Sequence, residues 1–146
     1  MEKLFEMILA GLAVYLVISL VWYIIMVIAN WRIFTKAGEA GWKSIIPVLN
    51  TYVLFKIAWN VKMFWIMFGT LIAGSVCTTI AGDQGGVLTV IGAVFSLASC
   101  VIGIISIHKL SKSFGHGVGF TLGLIFLSPI FTLILGLGSS EYIGPQ

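Results

Sequence analysis

KAGEAGWKSIIPVLN, residues 36–50, decides how many times this chain crosses a membrane. It places Lys36, Glu39 and Lys43 beside Gly38, Gly41, Trp42 and Pro47, in a sequence that carries few other charges. A crossing here would put Lys36 and Lys62 on opposite sides, whereas a segment that turns back keeps them together. The apolar run SIIPVLNTYVLFKIAW (44–59) is short for a crossing. As a helix it reaches about 24 Å at ~1.5 Å per residue, against a hydrocarbon core roughly 30 Å thick. A lysine at mid-membrane, as Lys56 would be, costs about 2.5–3.5 kcal/mol. The run is therefore expected to be an interfacial amphipathic helix over 44–59, lying in or shallowly re-entering one membrane surface. At helical spacing Trp42, Ile45, Ile46, Leu49, Tyr52, Val53 and Ile57 share one side, and Lys43, Ser44, Pro47, Asn50 and Thr51 the other. Ser44 suits an N-cap, with Pro47 in the first turn, where its missing N–H costs little. Gly38 and Gly41 would end the preceding helix, and Lys56 would snorkel to the phosphates. Leu54 and Phe55 fall on or near the polar side, so the second face is expected to pack against protein.

Outward from this stretch the chain is nearly all apolar. Of 146 residues 60% are hydrophobic and 9% charged, with a mean hydropathy of +1.13. Soluble domains carry about 25% charged residues, so this composition describes an integral membrane protein with one domain over 1–146. Four runs are long enough to span: Met7–Ala29, Met63–Ala81, Val87–Ile107 and Val118–Gly138, and none contains Asp, Glu, Lys, Arg or His. The fold class expected is all-α and polytopic, with four transmembrane helices and the interfacial helix between the first and second. Glu2, Lys3 and Glu6 give the first run the wrong flank for a cleaved signal, so it reads as a retained helix. GDQGG (82–86) joins the second and third runs, and HKLSKSFGHG (108–117) the third and fourth.

Orientation follows from the basic residues. Arg32, Lys36, Lys43, Lys56 and Lys62 lie between the first and second runs, and Lys109 and Lys112 between the third and fourth. The remaining regions hold only Lys3. Both basic connections are expected in the cytoplasm, with both termini and GDQGG outside. Trp31, Trp42 and Trp59 fall at the basic level, as an aromatic belt requires. Arg32, Lys36, Lys43, Lys56, Lys62, Lys109 and Lys112 are thus membrane-interface residues. They are spent on topology, which argues against a nucleic-acid partner.

WRIFTKAGEAGWKSIIPVLNTYVLFKI (31–57) and KSFGHGVGFTLGLIFL (112–127) resemble an uncharacterised family of small bacterial membrane proteins, known as a domain of unknown function. Its most specific positions here are Lys36, Gly38, Gly41, Trp42, Pro47, Asn50 and Tyr52. The resemblance implies bacterial origin and a four-helix plan, and it brings no activity; the location expected is the bacterial cytoplasmic membrane. Such sequences are sometimes labelled signal peptidase I. That enzyme needs a serine nucleophile and a lysine base on the outer side, where this chain is expected to hold only Lys3.

Other residues were weighed as sites. Cys77 and Cys100 would lie at depths differing by roughly 14 Å on adjacent helices, too far apart for a disulfide. His108 and His116 lack the further ligands of a metal site, and GHGVG (115–119) lacks the strand and lysine of a phosphate loop. No cofactor is expected. In the third run Gly92, Ser96, Ser99, Gly103 and Ser106 recur at spacings of four and three, a stripe that lets helices approach closely in lipid. It could pack within one four-helix bundle, form an oligomer interface, or line a pore. Gly69, Ala73 and Cys77, or Thr70, Gly74 and Thr78, offer a matching face on the second run, and Pro129 is expected to bend the fourth.

No run carries the intramembrane charges typical of ion-coupled transporters, nor a nucleophile with its base. The function expected is a non-enzymatic scaffold or accessory subunit. Its basic cytoplasmic face, net +4 over Asn30–Lys62 (five basic residues less Glu39), would contact anionic membrane lipid or a partner protein. The alternative is a homo-oligomeric channel built around the third run.

Overall fold

The computed structural model describes all 146 residues and consists of helices without strands. The helices are α1 (Glu2–Lys36), α2 (Pro47–Ala58), α3 (Val61–Ala81), α4 (Val87–Ser113), α5 (Val118–Phe126) and α6 (Ser128–Leu137). Three helical segments are long and apolar enough to cross a membrane: α1, α3 with the turn after it, and α4. The four expected crossings are thus three candidate crossings plus a divided fourth run.

The division falls at Leu127, where the backbone leaves the helical region (φ −121°, ψ 44°). Pro129 explains it: the ring removes an N–H and clashes with the carbonyl four residues back. More than a bend results. His116 Nε2 lies 2.7 Å from Ser140 Oγ, although 24 helical residues would separate them by about 36 Å. The Phe120 and Phe131 rings sit edge to face at 5.1 Å, and a Cβ at Gly123 would overlap the Phe131 ring. α5 and α6 therefore form a tight hairpin that enters and leaves at one end of the molecule.

The first basic segment also returns. Gly38, at φ +78°, turns the chain out of α1, and Gly41 lies so close under Trp31 that any side chain there would overlap the indole. Ser44 Oγ donates to Gly41 O at 2.7 Å and to Val27 O at 3.3 Å, and Tyr23 Oη donates to Ile45 O. Nine residues separate Val27 from Lys36, so the chain has climbed about 13 Å back along α1. α2 then descends, with Pro47 in its first turn and Ile46 as N-cap. Two details of the expected interfacial helix change, its start and its cap, while its packed second face is as expected. It starts at Pro47, Ser44 is not its cap, and Val53, Phe55, Ile57 and Ala58 are all buried, so it packs on more than one side. Leu54 and Phe55 meet α3 and α4, which accounts for their breach of the amphipathic pattern.

α3 and α4 form an antiparallel pair closed by Gly82, Gly85 and Gly86, all at positive φ. The outer part of the small-residue stripe of α4 packs here. A Cβ on Gly74 would lie 2.7 Å from Ser96 Oγ and 3.1 Å from Gly92 O, and Ser99 Oγ donates to Met67 O at 2.8 Å. Gly103 faces Met67, while Ser106 donates to Gly103 O of its own helix.

α1 packs chiefly against α2 and α6. The core, Ile33, Phe34, Val53, Ile57, Phe114 and Leu135, lies at the basic end. In α1 only Ala29, Ile33 and Phe34 are buried, and its first half stands clear of the rest. The C-terminal tail closes the basic end: Ile143 N donates to Ser113 O (2.7 Å), Gln146 N to Ala58 O (3.0 Å) and Tyr142 Oη to Ile57 O (2.7 Å). The N- and C-termini lie at opposite ends of the molecule, because the turn before Pro129 sends α6 back the way α5 came.

Candidate functional site

The polar groups of the protein gather at the basic end, where both returning segments meet. Lys36 joins them. Its ammonium donates to Leu135 O at 2.7 Å and to Gly138 O at 2.8 Å, capping the C-terminus of α6, where a cation offsets the helix dipole. Gly136 makes the approach possible, since a Cβ there would run into the Ala29 carbonyl.

Glu39 is the counter-charge of the first segment. Its carboxylate accepts from Lys56 at 2.6 Å and from Lys43 at 2.9 Å, tying the turn after α1 to the end of α2. These bonds, led by the one from Lys56, hold the Glu39 pKa below its ordinary value, and the same contact raises that of Lys56. Burial, with Glu39 nearby, raises Tyr142. Lys56 therefore has a protein partner rather than only lipid phosphate. Lys109 donates to Gln146 O at 2.8 Å and sits 5.2 Å above the Trp59 ring. Arg32, Lys62 and Lys112 are exposed and their side chains take no part in any ion pair or hydrogen bond. Trp31 and Trp42 are exposed at the same level.

The motif residues turn out to build the return of the chain. Gly38 supplies a left-handed turn, Gly41 room for Trp31, and Pro47 the first turn of α2. Asn50 Nδ2 donates to Ser44 O at 3.3 Å, leaving Oδ1 buried without a partner. Tyr52 packs edge-on against Phe64 at 5.4 Å.

Sequence reasoning missed the hydroxyl contacts of the second segment. His108 Nδ1 lies 2.9 Å from Thr121 Oγ1. Ser111 Oγ donates to Gly117 O at 3.0 Å and Ser113 Oγ to Lys109 O at 2.8 Å, both serines fully buried. His116 stacks on Phe120 at 4.1 Å while meeting Ser140. That serine–histidine pair spans 24 residues, so no local spacing announces it. Nothing orients its Nδ1 as a nucleophile's base requires, and its evident role is to latch the ends of the α5–α6 hairpin. The histidines do not converge, no three His, Cys, Asp or Glu residues group as metal ligands, and both cysteines are free.

Two small cavities flank a wall of Leu54, Ile107 and Leu110. One, of about 120 Å³, lies between α1, α2 and α4–α6 and is edged by Asn30, Ser128 and Thr132. The other, of about 220 Å³, is edged by Thr51 and Ser106.

A model for a family of unknown function, DUF5684, matches residues 42–145. The chain belongs to that family. The DUF5684 match begins at Trp42 and takes in α2 through α6 with the tail, so Pro47, Asn50, Tyr52 and the whole α5–α6 hairpin lie inside it. Comparison with curated proteins and with solved structures gives no match.

Proposed function

We propose that this DUF5684 protein is a non-enzymatic scaffold or accessory subunit of the bacterial cytoplasmic membrane. On this reading α1, α3 and α4 cross the bilayer. The 37–58 and 118–138 segments re-enter it from the basic side without crossing. The basic end and the C-terminal tail face the cytoplasm, following the bias of basic residues to that side, and the N-terminus and the turn at Asp83 lie outside. Backbone that is not part of a spanning helix is tolerated at membrane depth only where protein or a wet cavity covers it. The close packing of α2, and the hairpin closed at Gly123, answer that demand.

The observation that carries the functional part is the division of labour among the cations. Lys36, Lys43, Lys56 and Lys109 are engaged within the chain, while Arg32, Lys62 and Lys112 are exposed and unengaged. The free three suit anionic headgroups, at ~1 kcal/mol for each basic residue near such a surface. Against the channel alternative, Gly92 and Ser99 of the α4 stripe pack on α3 of the same chain. The test is native mass spectrometry of the purified protein with equal amounts of phosphatidylglycerol and phosphatidylcholine. Preferential retention of phosphatidylglycerol, reduced in Arg32→Gln/Lys112→Gln, is expected. Equal retention of the two lipids, or a preference the double variant leaves intact, would overturn the reading.

A further inference from the structure

Between α2 and α3 runs an open groove of about 420 Å³, lined by Ile46, Val48, Leu49, Tyr52, Phe64 and Trp65. No charged or amide side chain enters it, and Val48 and Trp65 are exposed. Its floor is rigid: Tyr52 meets Phe64 edge-on at 5.4 Å and Trp65 at 6.4 Å, and Phe64 packs against Phe55 and Phe68. The two helices run in opposite directions, joined by Trp59 and Asn60. Each carries a lysine one turn toward the basic end from its groove aromatic, Lys56 after Tyr52 on α2 and Lys62 before Trp65 on α3. Residues three and four apart on a helix are neighbours on its surface, so each lysine stands on the groove side of its helix, one turn nearer the basic end. Lys62 is free, and Lys56, though bonded to Glu39, keeps 48% of its side chain exposed. Glu39 is shared between Lys43 and Lys56, so that cluster remains net positive. The Tyr52 hydroxyl makes no hydrogen bond within the protein.

We propose that this groove is a binding site for one anionic phospholipid of the cytoplasmic leaflet. An acyl chain lies along Tyr52, Trp65 and Leu49, and the phosphate is held between Lys56 and Lys62, with the Tyr52 hydroxyl as a further donor. The site rests on the lipid-contact reading above and narrows it to one place and one chemistry. An apolar trough with cations only at its interfacial mouth matches the division of such a lipid into tail and charged head. A partner's apolar helix would leave Lys62 without a counter-charge.

The test follows Trp65 fluorescence in bilayers containing acyl-chain-brominated phosphatidylglycerol or phosphatidylcholine. The Trp65→Phe protein is subtracted to isolate that ring. At equal mole fraction the phosphatidylglycerol is expected to quench Trp65 with a roughly fivefold higher apparent affinity, the size set by one lysine at an anionic surface. Lys62→Gln should move the ratio toward one. Equal quenching by the two lipids in the unaltered protein would overturn the proposal, as would a ratio that Lys62→Gln leaves unchanged. Loss of the Arg32/Lys112 effect with retention of the Trp65 preference would refute only the broader reading, and the converse only this site.

Discussion

Replacing Gly136 with alanine tests the packing that holds α6 on α1. A Cβ at this position would come within 3.1 Å of Ala29 Cα and run into the Ala29 carbonyl oxygen. Both obstacles are backbone, so no side-chain rotation relieves them and the two helices must separate. Overpacking of this kind costs about 1–3 kcal/mol. With Tm falling about 2–4 °C per kcal/mol at this chain length, the loss should be roughly 2–12 °C by thermal unfolding in mild detergent. The alanine at Gly136 should not be rescued by Ala29→Gly, which leaves the backbone in place. Gly123→Ala behaves differently, because its Cβ would meet the Phe131 ring, and shortening Phe131 to leucine should recover much of the loss. Gly119, with nothing within 4 Å of an added Cβ, is the neutral control, with alanine favoured there by its helix propensity. A Gly136→Ala protein as stable as Gly119→Ala would refute the α1–α6 contact.

Lys36→Met removes two charge-assisted bonds from the end of α6, each worth about 1.5–3 kcal/mol, and should speed proteolysis of the 138–146 tail relative to Lys112→Met. For Glu39 the sign is set by its lowered pKa. Its bonds to Lys56 and Lys43 stabilise the fold above the ordinary value of 4.5 and are lost as pH falls through the depressed folded pKa. Tm should therefore drop on acidification below that value in the unaltered protein and less in Glu39→Gln, and identical acid limbs would contradict the ion pair. A cysteine at Ser139 should be labelled by impermeant reagents from the same side as one at Lys112, and from the side opposite one at Asp83. Labelling of Ser139 and Asp83 positions from a common side would show that the fourth run crosses.

Some of the candidate site was readable along the chain and some was not. Gly38, Gly41 and Pro47 announced a turn because a left-handed backbone, a close approach and a missing N–H are local properties. The breach of amphipathicity at Leu54 and Phe55 correctly pointed to a second packed face. Lys36 and Lys56 read as lipid-facing cations, since a lysine's partner a hundred residues away, or across a turn, leaves no mark in local spacing. The His116–Ser140 contact was hidden for the same reason.

By itself the sequence determined an apolar helical chain, with four runs long enough to span and its positive charge gathered in two connections. Those properties come from composition and from a rise of ~1.5 Å per residue, and neither needs a fold. Only tertiary structure decided that the fourth run doubles back, that the tail joins the basic end, and that the first half of α1 stands clear of the rest. A proline announces a broken helix, but the direction taken afterwards is set by what the freed half can pack against. Here Gly123 admits Phe131, Gly136 admits Ala29, and Lys36 closes the end.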